Sequence, residues 1–219
     1  MKKGKKLDGN KETVVKVCNW LSLPLQALGC CILYLVIEAF SRHSLAAAWS
    51  YMVESPWVFL YNAFLIFTTF MVVYLFRRRV LVRLIMSCFW LLLGIINGVI
   101  LANRVTPFTG PDLRNLSDGA KVVTKYLSKG TMILVAAALV ALLAFFVWVW
   151  IKGPKFQGKI RWYLNVPLIA LVIVLFTGAT NLALTKRVLS SYFVNIAFAY
   201  QDYGYPYCLA VTLFDTGIS

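Results

Sequence analysis

The 24 residues WYLNVPLIALVIVLFTGATNLALT, Trp162 to Thr185, carry no charged side chain. At 1.5 Å per residue a helix of that length spans about 36 Å, enough to cross a hydrocarbon layer about 30 Å thick. A backbone surrounded by lipid must pair its own N–H and C=O groups, so the run is expected to be helical. Four further uncharged runs precede it: Val17 to Ile37, Trp57 to Phe76, Leu84 to Asn103 and Gly130 to Ile151. The alternating ten-residue pattern of an outer-membrane barrel is absent. The fold expected is all-α: a polytopic membrane protein whose five-transmembrane-helix bundle occupies residues 17–185. Pro24 should kink the first run, whereas Pro167 falls within the first two turns of the fifth, where a helix tolerates it better.

Composition agrees. Of the 219 residues, 61% are apolar and 14% charged, against about 25% charged in an average soluble domain. A soluble globule would need more charge on its surface, and a disordered chain would be far less apolar. The net charge of +14 does not form a basic stripe on a soluble face, as nucleic-acid binding would require; it sits in clusters between apolar runs. With the N-terminus inside, the inner segments hold 14 Lys and Arg against 2 acids, and the outer segments 8 against 6. The positive-inside rule then makes residues 1–16 a cytoplasmic basic tail and residues 186–219 an extracytoplasmic juxtamembrane segment of a multi-pass protein of the cell membrane. Trp20, Trp57, Trp148, Trp150, Trp162 and Tyr163 fall near run ends, as interfacial aromatics do; Trp90 is the exception.

Two amphipathic helices are expected on the outer face. After a turn at Thr106, Pro107, Gly110 and Pro111, Asp112 is placed to cap a helix running to about Ser128. Its apolar stripe is Leu113, Leu116, Ala120, Val123 and Leu127, and it can lie on the membrane or pack on the protein's own loops. In the C-terminal segment, Val188 to Tyr200 can form an interfacial helix that Gly204 and Pro206 then break. Tyr192, Tyr200, Tyr203, Tyr205 and Tyr207 suit the headgroup zone.

Chemistry-bearing groups are sparse. The cysteines are Cys18, Cys30, Cys31, Cys88 and Cys208, none in C-x-x-C spacing, and His43 is the single histidine. No metal site, no cofactor and no catalytic constellation is expected in this chain. The candidate residues are instead for a lipid headgroup. Glu38 and Arg42 share a helix face, either as an ion pair ending the first span or with Arg42 on a lipid phosphate. Asn62, Asn97 and Asn181 lie near the outer ends of three runs. They are either interhelical glue or a polar pocket, closed by Arg104 and Arg187, for an anionic headgroup. Arg77, Arg78 and Arg79 set topology or attract anionic lipid. Gly94 and Gly98 form a G-x-x-x-G, expected to mark close packing within the chain.

Four segments resemble one family. RVTPFTGPDL (104–113), KYLSKG (125–130), IKGPKFQGKI (151–160) and YQDYGYPYCLAVTLFDTGIS (200–219) are similar to the N-terminal membrane domain of the lipoteichoic acid synthases, phosphoglycerol transferases of Gram-positive bacteria. The resemblance implies five spans, a cytoplasmic N-terminus and a final outward segment. In that family an extracellular sulfatase-like domain follows, with a threonine nucleophile and a metal, usually manganese, and it transfers glycerol phosphate from phosphatidylglycerol. No catalytic residue of that domain maps onto these residues. The function expected is a membrane-anchoring and lipid-presenting domain of such a transferase, active in cell wall biogenesis. Its partners are membrane lipids, phosphatidylglycerol among them, and a sulfatase-like catalytic domain or partner protein, with no nucleic acid. The alternative is a stand-alone integral membrane interaction subunit in cell-envelope synthesis. A small transporter or flippase is weaker, because the runs hold no charge and the chain shows no inverted repeat.

Overall fold

A computed structural model describes residues 21–115, 129–153 and 162–214. The basic tail, the stretch 116–128 expected to be amphipathic, residues 154–161 and the last five residues lie outside the described residues. Among those described, every regular element is helical. In chain order they are α1 (Ser22–Ser41), α2 (Leu45–Glu54), α3 (Pro56–Phe70) and its 3-10 continuation Met71–Leu75, and α4 (Arg79–Leu101). There follow α5 (Gly110–Arg114), α6 (Lys129–Lys152), α7 (Trp162–Thr185), α8 (Ile196–Tyr203) and α9 (Tyr205–Phe214). Four helices are long and apolar enough to cross a membrane: α1, α3 with its 3-10 turn, α4 and α7. The chain is thus a multi-pass membrane protein. The Gly130–Ile151 run forms most of α6, whose described apolar stretch, Val140–Lys152, is shorter than a span.

Pro24 departs from expectation. It stands in the first turn of α1, where an N–H has no intrahelical partner to lose, so no kink is required there. Helices α1, α3 and α4 form the core, with Tyr34, Ile37, Ile66 and Val73 fully enclosed. Trp90, the tryptophan out of place for an interfacial belt, is buried, and its indole N–H donates to Thr69 Oγ1 at 3.0 Å. Helix α7 packs on α3 but turns Leu171, Ile173, Val174 and Leu175 outward, and such apolar exteriors are what lipid requires. Helix α6 leans on α4, with Arg78 stacked 4.6 Å over the Trp150 ring.

The two glycines of the G-x-x-x-G let α4 approach α1 within the chain, as expected. A Cβ on Gly94 would lie 3.1 Å from the Ile37 side chain, and one on Gly98 only 2.8 Å from the Phe40 carbonyl oxygen. Gly29 has open space. Gly98→Ala is therefore expected to lower the thermal midpoint in detergent through about 1–3 kcal/mol of overpacking. Gly29→Ala should hold or raise it, since alanine favours the helix by up to about 1 kcal/mol. Equal midpoints for both variants would contradict this packing.

Candidate functional site

The site is built around the chain's C-terminal hairpin, which is gripped through its backbone. Glu38, in the last turn of α1, has no exposed surface. Its Oε1 accepts the Tyr205 N–H at 3.0 Å, and its Oε2 accepts Arg42 Nε–H at 3.1 Å. Arg42 in turn donates through Nη2 to the Gln201 carbonyl at 2.7 Å and lies 4.1 Å over the Tyr51 ring. Tyr34, also fully buried, stands with its hydroxyl 3.3 Å from that of Tyr51. The spacing of four on α1 does produce the expected pair, but its remaining valences go to main-chain groups of the hairpin.

Asn62 of α3 supplies the second grip. Its Nδ2 donates to Val58 O and Tyr203 O at 2.9 and 2.8 Å, and its Oδ1 accepts the Tyr207 N–H at 2.9 Å. Between the two grips sits Gly204, with φ +81. A Cβ there would lie 2.3 Å from the Tyr34 hydroxyl and 2.5 Å from Asn62 Nδ2, so both conformation and space demand glycine. Asn97 of α4 ties a third segment: Nδ2 donates to Ser41 Oγ at 2.9 Å and Oδ1 accepts the Phe108 N–H at 2.8 Å.

Phe108 leads into α5, whose start differs from expectation. The N-cap is Thr109, and Asp112 is the third residue of the helix, closing a capping box. Asp112 accepts the Thr109 N–H at 2.9 Å and pairs with Arg104, whose guanidinium also holds Thr106 O and Pro107 O. Partial burial pushes the Asp112 carboxyl up, but the Arg104 hydrogen bond and the Thr109 donors outweigh it and hold it below its usual range. Gly110 meets α9: its N–H donates to Thr212 Oγ1 at 3.0 Å, and a Cβ would lie 2.3 Å from Thr212 O.

The expected pocket of three amides is not assembled. Asn62 and Asn97 are fully buried and satisfied by protein groups, Asn181 is exposed on α7, and Arg104 is occupied by its own loop. Arg187 is exposed with φ +57 and closes α7. Its N–H bonds Leu184 O and the Val188 N–H bonds Ala183 O, the Schellman pattern. His43, with φ +53, ends α1 in the same way, and its Nε2 lies 2.9 Å from Gly98 O.

The C-terminal tyrosines also depart from expectation. Tyr192 is exposed, but Tyr205 and Tyr207 are in the core. Burial pushes the Tyr207 phenol up to about 12 and raises the Cys208 thiol as well, so neither is ionised at neutral pH. The expected helix from Val188 is confined to Ile196–Tyr203, capped by Asn195, whose Oδ1 accepts the Ala197 N–H at 2.9 Å. Gly204 does end that helix, and Pro206 sits in the first turn of α9, which starts at Tyr205. Sequence reasoning found Glu38, Arg42, Asn62 and Asn97, but it missed that their partners are the main-chain groups of residues 201–207 and 108. Gly204 between tyrosines was the available signal.

Because the hairpin is seated this way, α9 roofs a groove of about 930 Å³. Its floor is Tyr61, Leu65 and Thr69 of α3, and its walls are Phe89 and Leu93 of α4 and Phe176 of α7. Leu209, Ala210 and Leu213 close it from above. Its polar atoms are largely hydroxyls, among them the Tyr61–Thr180 pair at 2.8 Å. Among the described residues no cluster of three His, Cys, Asp or Glu could hold a metal ion. Comparison with protein families, with curated proteins and with solved structures returns no match for this chain.

Two outcomes follow from this geometry. Asn62→Leu orphans the Tyr203 carbonyl and the Tyr207 N–H, each worth about 1–3 kcal/mol when buried unpaired. Denaturation in detergent should show the loss, and an unchanged midpoint would contradict the grip. Asp112 has a folded-state pKa below its unfolded one. Its contribution is complete above the unfolded value and is lost as pH falls from about 4 through the folded value. The acid side of the stability profile should therefore flatten in Asp112→Asn, measured by thermal midpoints from about pH 5 to about pH 2.5.

Proposed function

We propose that this protein is a membrane-anchoring and lipid-presenting module whose α9 groove takes the acyl chain of a membrane phospholipid. The observation that carries the reading is the groove itself. At about 930 Å³ it falls within the range of about 300–1,000 Å³ typical of ligand sites, and its walls are almost wholly apolar. In a bilayer such a groove is filled by hydrocarbon. Ser191 and Tyr192 at its margin offer hydroxyls to an ester or headgroup. The anchoring half of the reading is supported by the hairpin, which fixes the last described residues against the bundle through Glu38 and Asn62. In this reading α6 is the fourth of five spans, the N-terminus is cytoplasmic and the C-terminal segment faces outward at the cell membrane. A role beside a phosphoglycerol transferase of the lipoteichoic acid synthase kind, with phosphatidylglycerol as the presented lipid, rests on the segment resemblance alone.

The test is photolabelling in nanodiscs with phosphatidylglycerol bearing a diazirine near the middle of one acyl chain. Peptides covering Tyr205–Phe214 and Tyr61–Thr69 are expected to carry the label. Ala210→Trp, which fills the groove from its roof, should strip it from both while the outer face of α7 stays labelled. Labelling confined to the outer faces of the bundle would contradict the reading.

A further inference from the structure

The other end of the bundle holds a polar crevice that the α9 groove does not reach. It measures about 320 Å³ and is lined by Ser22, Gln26 and Cys30 of α1, Phe70, and Arg83 and Ser87 of α4. Gln26 and Arg83 each stand four residues inside their helices, about 6 Å from the helix start. Gln26 is 6% exposed. Arg83 Nε–H donates to Gln26 Oε1 at 3.2 Å, which fixes the amide's orientation and leaves its NH2 group as the free end.

That free end is unsatisfied. Gln26 Nε2 and Arg83 Nη2 are both buried and have no hydrogen-bond partner. Among the described residues, the Tyr74 hydroxyl nearby is already shared with Ser22 Oγ at 3.0 Å. Neither of the ion pairs Glu38–Arg42 and Arg104–Asp112 includes Arg83. Glu54 closes α2, and Asp202 lies in α8, both at the end of the bundle away from the crevice. A buried guanidinium edge and a buried carboxamide without acceptors are costly, the charged group most of all. Both are donors, and Ser87 adds a hydroxyl that can donate. What fits is a compact, acceptor-rich anion, and a phosphate oxygen suits the planar guanidinium. On the flank of the crevice, Leu25, Leu28 and Ile32 of α1 face outward, so it opens beside a surface that suits acyl chains.

We propose that this crevice binds the anionic phosphate of a phospholipid headgroup or of a free phosphoester, with Arg83 and Gln26 as the binding residues. The site is separate from the α9 groove, so either can fail without the other.

The test uses the full chain in a phosphate-free maltoside detergent. Equilibrium binding is measured with radiolabelled short-chain phosphatidylglycerol, a diacylglycerol of the same chain length, and inorganic phosphate. Phosphatidylglycerol is expected to bind at least about tenfold more tightly than the diacylglycerol. Arg83→Gln should remove about tenfold of that affinity, the scale of one charged hydrogen bond. Gln26→Met, which keeps the side-chain volume, should weaken it several-fold. Inorganic phosphate binding in an Arg83-dependent manner, with no gain from the lipid chains, also supports the site and assigns it to a soluble phosphoester. The proposal is overturned if the diacylglycerol binds as well as phosphatidylglycerol, or if neither substitution changes binding in protein that keeps its midpoint. Should Arg83→Gln fail to fold, Gln26→Met and competition by inorganic phosphate in the unaltered protein decide the matter.

Discussion

A carboxylate with no exposed surface organises the hairpin end of this molecule. Glu38 sits where water cannot solvate it, and its stability depends on Arg42 beside it and on the Tyr205 N–H donated from 167 residues further along the chain. Breaking a buried pair by removing one partner costs about 3–5 kcal/mol, because the remaining charge is left uncompensated. The hairpin cannot leave the bundle without taking the Tyr205 N–H from that carboxylate and the Gln201 carbonyl from Arg42. Asn62 makes the same demand with neutral groups, and Gly204 is the residue that lets the backbone pass between the two. The α9 roof, and with it the groove, is a consequence of this arrangement.

The apolar helices were legible in the sequence because lipid leaves few options. A long uncharged run must be a helix, and small residues four apart must let another helix close. Asn62 and Asn97 were likewise identifiable as polar groups too deep to be idle. Their partners were not legible. Each bonds the backbone of a segment distant in sequence, and a main-chain N–H carries no signature in the amino-acid alphabet. The tyrosines of the C-terminal segment misled for a related reason. A phenol suits the headgroup zone and a packed core almost equally well, and the choice depends on whether the backbone beneath it finds buried partners. Aspartate favours the cap position, which is why the sequence points to Asp112 there. The competing residue, Thr109, takes the cap, and Asp112 gains more as the box-closing carboxylate against Arg104.

The two ends of the bundle differ in how their buried polar groups are satisfied. At the hairpin end the groups of Glu38, Asn62 and Asn97 are matched within the chain, and among the described residues there the Tyr205 hydroxyl is the buried group left without a partner. At the end bearing Gln26 and Arg83 two donors remain open in a cavity. Between them lies a long apolar groove with hydroxyls on its floor and at its margin. A clasp at one end, an apolar groove in the middle and unsatisfied donors opposite are the features on which the two lipid-binding proposals rest.

Amide hydrogen exchange in lipid nanodiscs reads the clasp most directly. The Tyr205 and Tyr207 amides, which donate to Glu38 and Asn62, should exchange as slowly as those on the buried face of α1, and Glu38→Ala should release both together. Exchange of these two amides at the rate of an open loop in the unaltered protein would contradict the account.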